Sequence, residues 1–138
     1  MAGRRNGDKL STLVADVEAQ GRRISGRSLD ARKEDEINAF LQDAENQAPL
    51  EVCIFNVGAN VNFPLADTTE RVFRKVWEMA CYGGFLTGRE AARLMTPRER
   101  GCIFFTDATA SPRGGVAMPL SQVRNLVCVL SRKVRPES

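Results

Sequence analysis

Short apolar runs alternate along this chain with longer stretches of helical spacing, and that alternation restricts the fold more than any other feature. Leu50–Phe55 and Cys102–Thr106 are near-continuous apolar runs, the pattern of strands buried on both faces. Ile24–Leu29 is a shorter, partly alternating run. Between the runs lie helices. Leu10, Leu13, Val14 and Val17 fall at i, i+3, i+4 and i+7, which predicts a helix over 8–20 with capping oxygens from Asn6-Gly7-Asp8 and a stop at Gly21. Ile37, Phe40, Leu41 and Ala44 repeat the spacing, and Pro49 ends that helix. A long helical pattern runs from Thr68 to about Met95, with Val72, Phe73, Val76, Trp77 and Ala80 on one face and Thr68 or Thr69 as its cap. Gly83-Gly84 in its middle costs helix stability by ~1 kcal/mol each, which points to close backbone packing against a neighbour. Pro97–Gly101 reads as a polar turn. Strand and helix in alternation predict a parallel sheet with helices on both faces, and such sheets bind ligands outside the carboxyl ends of their strands.

Composition removes several classes of function. The 138 residues make one domain's worth of chain, and 43% hydrophobic residues can build a core. A net charge of +3 with 27% charged residues lacks the concentrated basic footprint of a nucleic-acid domain. The apolar runs are far shorter than the ~20 residues a membrane helix needs. Met1–Asp8 has positive charge but no apolar segment behind it, so no secretory signal is expected and the expected location is cytoplasmic. The chain has no histidine, and Cys53, Cys81, Cys102 and Cys128 are widely spaced. A zinc site, a disulfide framework and histidine-dependent catalysis are therefore not expected.

Three segments together resemble the short-chain dehydrogenase/reductase family over about residues 2 to 115. Phe55-Asn56-Val57-Gly58 is similar to the family's Asn-Asn-Ala-Gly after its fourth strand, and the helix from Thr69 ends in Ala91-Ala92-Arg93-Leu94-Met95. Gly101–Thr106 resembles the fifth strand. The resemblance implies a partial Rossmann-like, doubly wound α/β sheet whose full-length relatives move hydride between NAD(P) and a carbonyl or alcohol. On that alignment the chain opens at the end of the second strand, without the first strand and the glycine-rich turn that grips the pyrophosphate. Arg4-Arg5 then stand where members using NADP hold the 2′-phosphate; the competing reading is solvated surface charge. Asp30 matches an Asp that hydrogen-bonds near the adenine ring, and it also reads as the cap of the following helix. Asn56 and Gly58 would hold the sheet edge beside the cofactor.

The family's catalytic set is not matched. Ala80 stands where the family has Asn, and Ala108 where it has Ser, with Thr109 and Ser111 nearby. No Tyr-x-x-x-Lys pair follows, and the one tyrosine, Tyr82, falls inside the long helix. A proton-relaying phenol needs that Lys to lower its pKa, so the chain alone is expected to be inactive. Residues 116–138 lose periodicity and end in a basic cluster, which reads as a weakly ordered tail beyond a domain at 1–115. Codons that could encode Met118–Ser131, shifted by one frame, permit a string resembling the family's catalytic segment with its Lys kept and Phe in place of Tyr. A frameshift after about Gly115 accounts for the change of character. Expected partners are NADP, an unknown small carbonyl or alcohol in intact relatives, and a second copy of the chain; neither nucleic acid nor membrane is expected. The alternative function is a non-enzymatic α/β interaction module that pairs through the long helix, with the Gly83-Gly84 notch admitting close approach. A third reading, a general phosphate binder, rests on Arg4-Arg5 alone.

Overall fold

The structure is a computed structural model, and it describes residues 1–58 and 65–106. Ala108, Thr109, Ser111, Cys128, the tail at 116–138 and the frame-shifted segment lie outside the described residues.

Four short strands and four main helices follow one another. They are β1 (Ala2–Arg4), α1 (Asp8–Ala19), β2 (Gly26–Ser28), α2 (Glu34–Gln47), β3 (Val52–Phe55), α3 (Glu70–Trp77), α4 (Gly83–Met95) and β4 (Cys102–Phe105). The sequence-predicted elements are all present among the described residues, with the strands shorter than their apolar runs. The start of α1 is closed by Asn6 Oδ1, which accepts the Asp8 N–H at 3.1 Å. Its end is a left-handed Gly21 at φ 71°, and the Arg22 N–H reaches back to the Val17 carbonyl at 3.2 Å. That six-to-one bond is a Schellman stop. At α3 the Thr69 hydroxyl accepts the Val72 N–H, fulfilling its capping role.

The strands form two parallel pairs, β1 with β2 and β3 with β4. Ala2 stands opposite Gly26 and Gly3 opposite Arg27, so Gly26 and Gly3 present opposite faces. A Cβ on Gly26 would meet Leu10 and Val14 of α1, whereas one on Gly3 would meet Phe40 of α2 and Leu29 just after β2. The first pair thus carries α1 on one face and α2 on the other, the doubly wound arrangement expected. Behind the second face lies the core, where Leu29, Ile37, Leu41, Cys53, Leu86, Ala91 and Met95 pack together.

Three expectations need correction. β3 is buried on one face, not two: Cys53 and Phe55 are buried, but Val52 and Ile54 are 53% and 64% exposed. On β4, Phe104 shares that open face at 53%, because α2 and α4 cover only the other side. The long helix is also not uniform. A π turn at Glu78–Tyr82 separates α3 from α4, and Phe73 and Trp77 are 41% exposed while Val76 and Ala80 face inward. Finally, the Gly83 half of the glycine notch is filled by the chain itself. A Cβ on Gly83 would stand 2.8 Å from the Ala31 carbonyl oxygen and 3.4 Å from the Phe55 ring, so this side of α4 is not open to a partner helix.

Candidate functional site

The carboxyl ends of β1, β2 and β3 open onto one cleft of about 620 Å³. Arg4 and Arg5 close β1, Asp30 follows β2, and Asn56 and Gly58 follow β3; all five line this cleft. The sequence-predicted site residues are separated by up to 54 positions in the chain, and the strand ends bring them together.

The cleft's electrostatics divide its cations into two kinds. Arg32, which the sequence reading did not single out, pairs with Asp30 through Nη2 to Oδ2 at 2.5 Å and Nε to Oδ1 at 2.9 Å. The Arg32 backbone N–H also donates to Asp30 Oδ1 at 3.1 Å. These bonds, led by the guanidinium, hold the Asp30 carboxyl down at about 2. Arg4 and Arg5 are exposed and have no carboxylate partner among the described residues. Arg5 instead has its backbone carbonyl fixed by the Ser28 hydroxyl at 3.0 Å. Two guanidinium groups outside any ion pair among the described residues therefore stand at the cleft, Arg5 near enough to Asp30 to help lower its carboxyl, beside a third that is neutralised.

Asp30 does not cap α2. The cap position is Lys33, without a side-chain bond, and Asp30 instead closes its own turn by accepting the Arg32 N–H while its carbonyl accepts the Lys33 N–H at 3.0 Å. Glu36, from the first turn of α2, reaches back to accept the Asp30 N–H at 2.7 Å. The Asp-x-Arg spacing at 30–32 was the signal available for Arg32, since an Asx turn brings the side chain two residues on against the carboxylate.

On the far wall, Asn56 Oδ1 accepts the Thr106 hydroxyl at 2.7 Å, and the Thr106 N–H donates to the Phe55 carbonyl at 3.1 Å. Asn56 is thereby held where β3 and β4 end. Ala80 is buried in the π turn. Tyr82 belongs to an aromatic row, stacked on Trp77 with centroids 5.8 Å apart and on Phe85 at 6.5 Å. Among the described residues, no group of three or more Cys, Asp and Glu is placed to hold a metal ion, and no helix is long and apolar enough to cross a membrane.

A family model for short chain dehydrogenases matches residues 1–120. The chain belongs to the short-chain dehydrogenases. Among solved structures it is similar to a short-chain dehydrogenase from Rhodopseudomonas palustris, at 63% identity and a TM-score of 0.84, covering 90% of this chain and 58% of that one. ElxO, solved with NADP bound, is a more distant neighbour in fold at 18% identity and a TM-score of 0.82, covering 91% of this chain and 51% of that one. Among curated relatives, a 2-dehydro-3-deoxy-D-gluconate 5-dehydrogenase of Pseudoalteromonas atlantica is 27% identical over 110 residues, 79% of this chain and 43% of the relative. The chain spans about half the length of the short-chain dehydrogenases it matches. The partial Rossmann-like α/β sheet read from the sequence is that family's fold.

Proposed function

We propose that this chain carries the adenosine-phosphate half of an NADP-dependent short-chain dehydrogenase site and does not catalyse hydride transfer by itself. The observation that carries the reading is the convergence of Arg4, Arg5, Asp30, Asn56 and Gly58 on one cleft, with neither Arg4 nor Arg5 in an ion pair among the described residues. A guanidinium pairs with phosphate through parallel charge-assisted hydrogen bonds. Arg4 and Arg5 take the 2′-phosphate, and Gly58 lets backbone approach the ligand closely. Arg32 already fills the acceptor positions of Asp30, so Asp30 serves the cleft by fixing the 30–32 turn, and contact with an adenine edge requires that guanidinium to swing aside. When bound, the cofactor supplies or accepts the hydride exchanged with a carbonyl or alcohol. Ala80 has no side chain able to exchange a proton, and Tyr82 is committed to aromatic packing.

A paired titration of NADP and NAD at low salt tests the assignment. One surviving charge-assisted contact contributes ~1.5–3 kcal/mol, so NADP should bind about tenfold or more tightly than NAD. Arg4→Ala/Arg5→Ala should erase the difference. Equal binding by the wild type, or an unchanged preference in the variant, contradicts it. NADPH-dependent reduction across a broad carbonyl panel should be undetectable, and turnover that survives Tyr82→Phe would refute the inactive reading.

A second reading has its own observation. Phe73, Trp77 and Phe85 are 41%, 41% and 56% exposed along α3 and α4, an apolar helix face that favours self-association. This supports pairing through the long helix, by its aromatic row and not by the glycine notch.

A further inference from the structure

A second charged surface lies beyond the cofactor cleft, along α3. Spacings of three and four residues put Glu70, Arg71, Arg74, Lys75 and Glu78 on one side of that helix and its continuation. Phe73 and Trp77 fall on a different side, so the aromatic row and this surface do not overlap. Arg32, from the turn after β2, joins the five, and together they line an opening of about 430 Å³. Arg32 also lines the cleft, so the two openings are neighbours that share one side chain.

The lining holds four cations and two carboxylates. Arg74 Nη2 pairs with Glu70 Oε1 at 3.0 Å, which commits that carboxylate. Arg32 holds Asp30 through Nε and Nη2, leaving its Nη1 edge for the opening, where Glu78 attracts it. Arg71 and Lys75 are exposed and in no ion pair among the described residues. They stand at i and i+4 on the helix, where like charges repel. Glu78 is left as the one lining carboxylate outside an ion pair among the described residues, against the two unpaired charges of Arg71 and Lys75. The excess is positive.

We propose that this opening is a second anion site, for a compact di- or triphosphate in solution, distinct from the cofactor cleft. Three of its four cations are arginines, whose planar forks pair with phosphate oxygens through two parallel hydrogen bonds, and Lys75 adds a point charge with three donors. Arg71 and Lys75 lie one helical turn apart, about 5–6 Å between Cβ atoms, so two linked phosphate groups meet both at once and offset their repulsion. The opening holds the equivalent of roughly a dozen waters at ~30 Å³ each, which is room for such an anion. Glu70 and Glu78 repel it, and they serve the site by holding Arg74 and Arg32 in place. An anion held by Arg32 and α3 together ties the β2–α2 turn to the helix.

The test is backbone amide shift mapping on the full chain titrated with inorganic pyrophosphate, against sodium acetate at matched ionic strength. Saturable shifts are expected at Arg32, Arg71, Arg74 and Lys75 with pyrophosphate and not with acetate. They should persist in Arg4→Ala/Arg5→Ala, whereas Arg71→Gln/Lys75→Gln should weaken the binding about tenfold or more. Both replaced side chains are exposed, so the urea midpoint should hold and lost binding is not lost folding. Shifts confined to Arg4 and Arg5, equal shifts with acetate, or an unchanged affinity in the glutamine variant would overturn the proposal. Displacement of pyrophosphate from α3 by NADP would assign the opening to the cofactor, and would also overturn it. The site uses neither Arg4 nor Arg5, so its failure leaves the cofactor assignment untouched, and equal binding of NADP and NAD leaves this site standing.

Discussion

Gly83 and Asp30 show how single residues set the shape of the cleft. Gly83 brings α4 against the Ala31 carbonyl, and this contact seats the 30–32 turn on the core. A Cβ at 2.8 Å from that oxygen cannot be accommodated without moving backbone, so Gly83→Ala should destabilise the chain by ~1–3 kcal/mol, read as a lower urea midpoint. An unchanged midpoint would mean that α4 does not approach the turn so closely. Asp30 links stability to pH. Its carboxyl, 16% exposed, is held at about 2, below its ordinary 3.8, by Arg32. The stabilisation is therefore full above about pH 4 and is lost as pH falls through 2, an effect on the order of 2 kcal/mol. Asp30→Asn should remove this acid-side component, measured as the urea midpoint between pH 2 and 5. The sequence made Gly83 legible as a packing residue, because helix interiors reject glycine without a reason. It did not reveal that the neighbour is a turn of the same chain, since that contact depends on how α4 crosses the β2–α2 connection.

At the scale of elements, hydrophobic period located the helices well because amphipathic spacing is a local property of the chain. Period alone missed the π turn at Glu78–Tyr82, which carries no apolar signature distinct from the α-helix around it. The apolar runs located β3 and β4 but not their exposure, because a run of Val, Cys, Ile and Phe reads the same whether one face or both are covered. The interruption between α3 and α4 lies beside the aromatic row of Trp77, Tyr82 and Phe85, to which Arg89 adds its guanidinium 5.1 Å from the Phe85 ring centroid. Pairing through this row predicts dimers or larger species in sedimentation at tens of micromolar. Trp77→Ala/Phe85→Ala should shift them to monomer, with a lower urea midpoint as well because both rings stack on Tyr82. A wild-type monomer under those conditions would exclude the helix row as an association surface.

For the whole molecule, the site was legible to the extent that it follows from strand ends. The family resemblance put Arg4-Arg5, Asp30 and Asn56-Gly58 after three strands, and parallel strands deliver their carboxyl ends to one side, so a common cleft followed. Arg32 escaped notice because its role comes from a side-chain pair, which periodicity does not encode. The central claim is that the cleft recognises a phosphate on the adenosine ribose. Backbone amide shift mapping tests it directly, comparing adenosine 2′,5′-bisphosphate with adenosine 5′-monophosphate at low salt. The account predicts saturable shifts for the bisphosphate clustered at Arg4, Arg5, Asp30, Asn56 and Gly58, with weaker shifts for the monophosphate that spare Arg4 and Arg5. Identical shift patterns for the two ligands, or shifts that lie away from these residues, would contradict it.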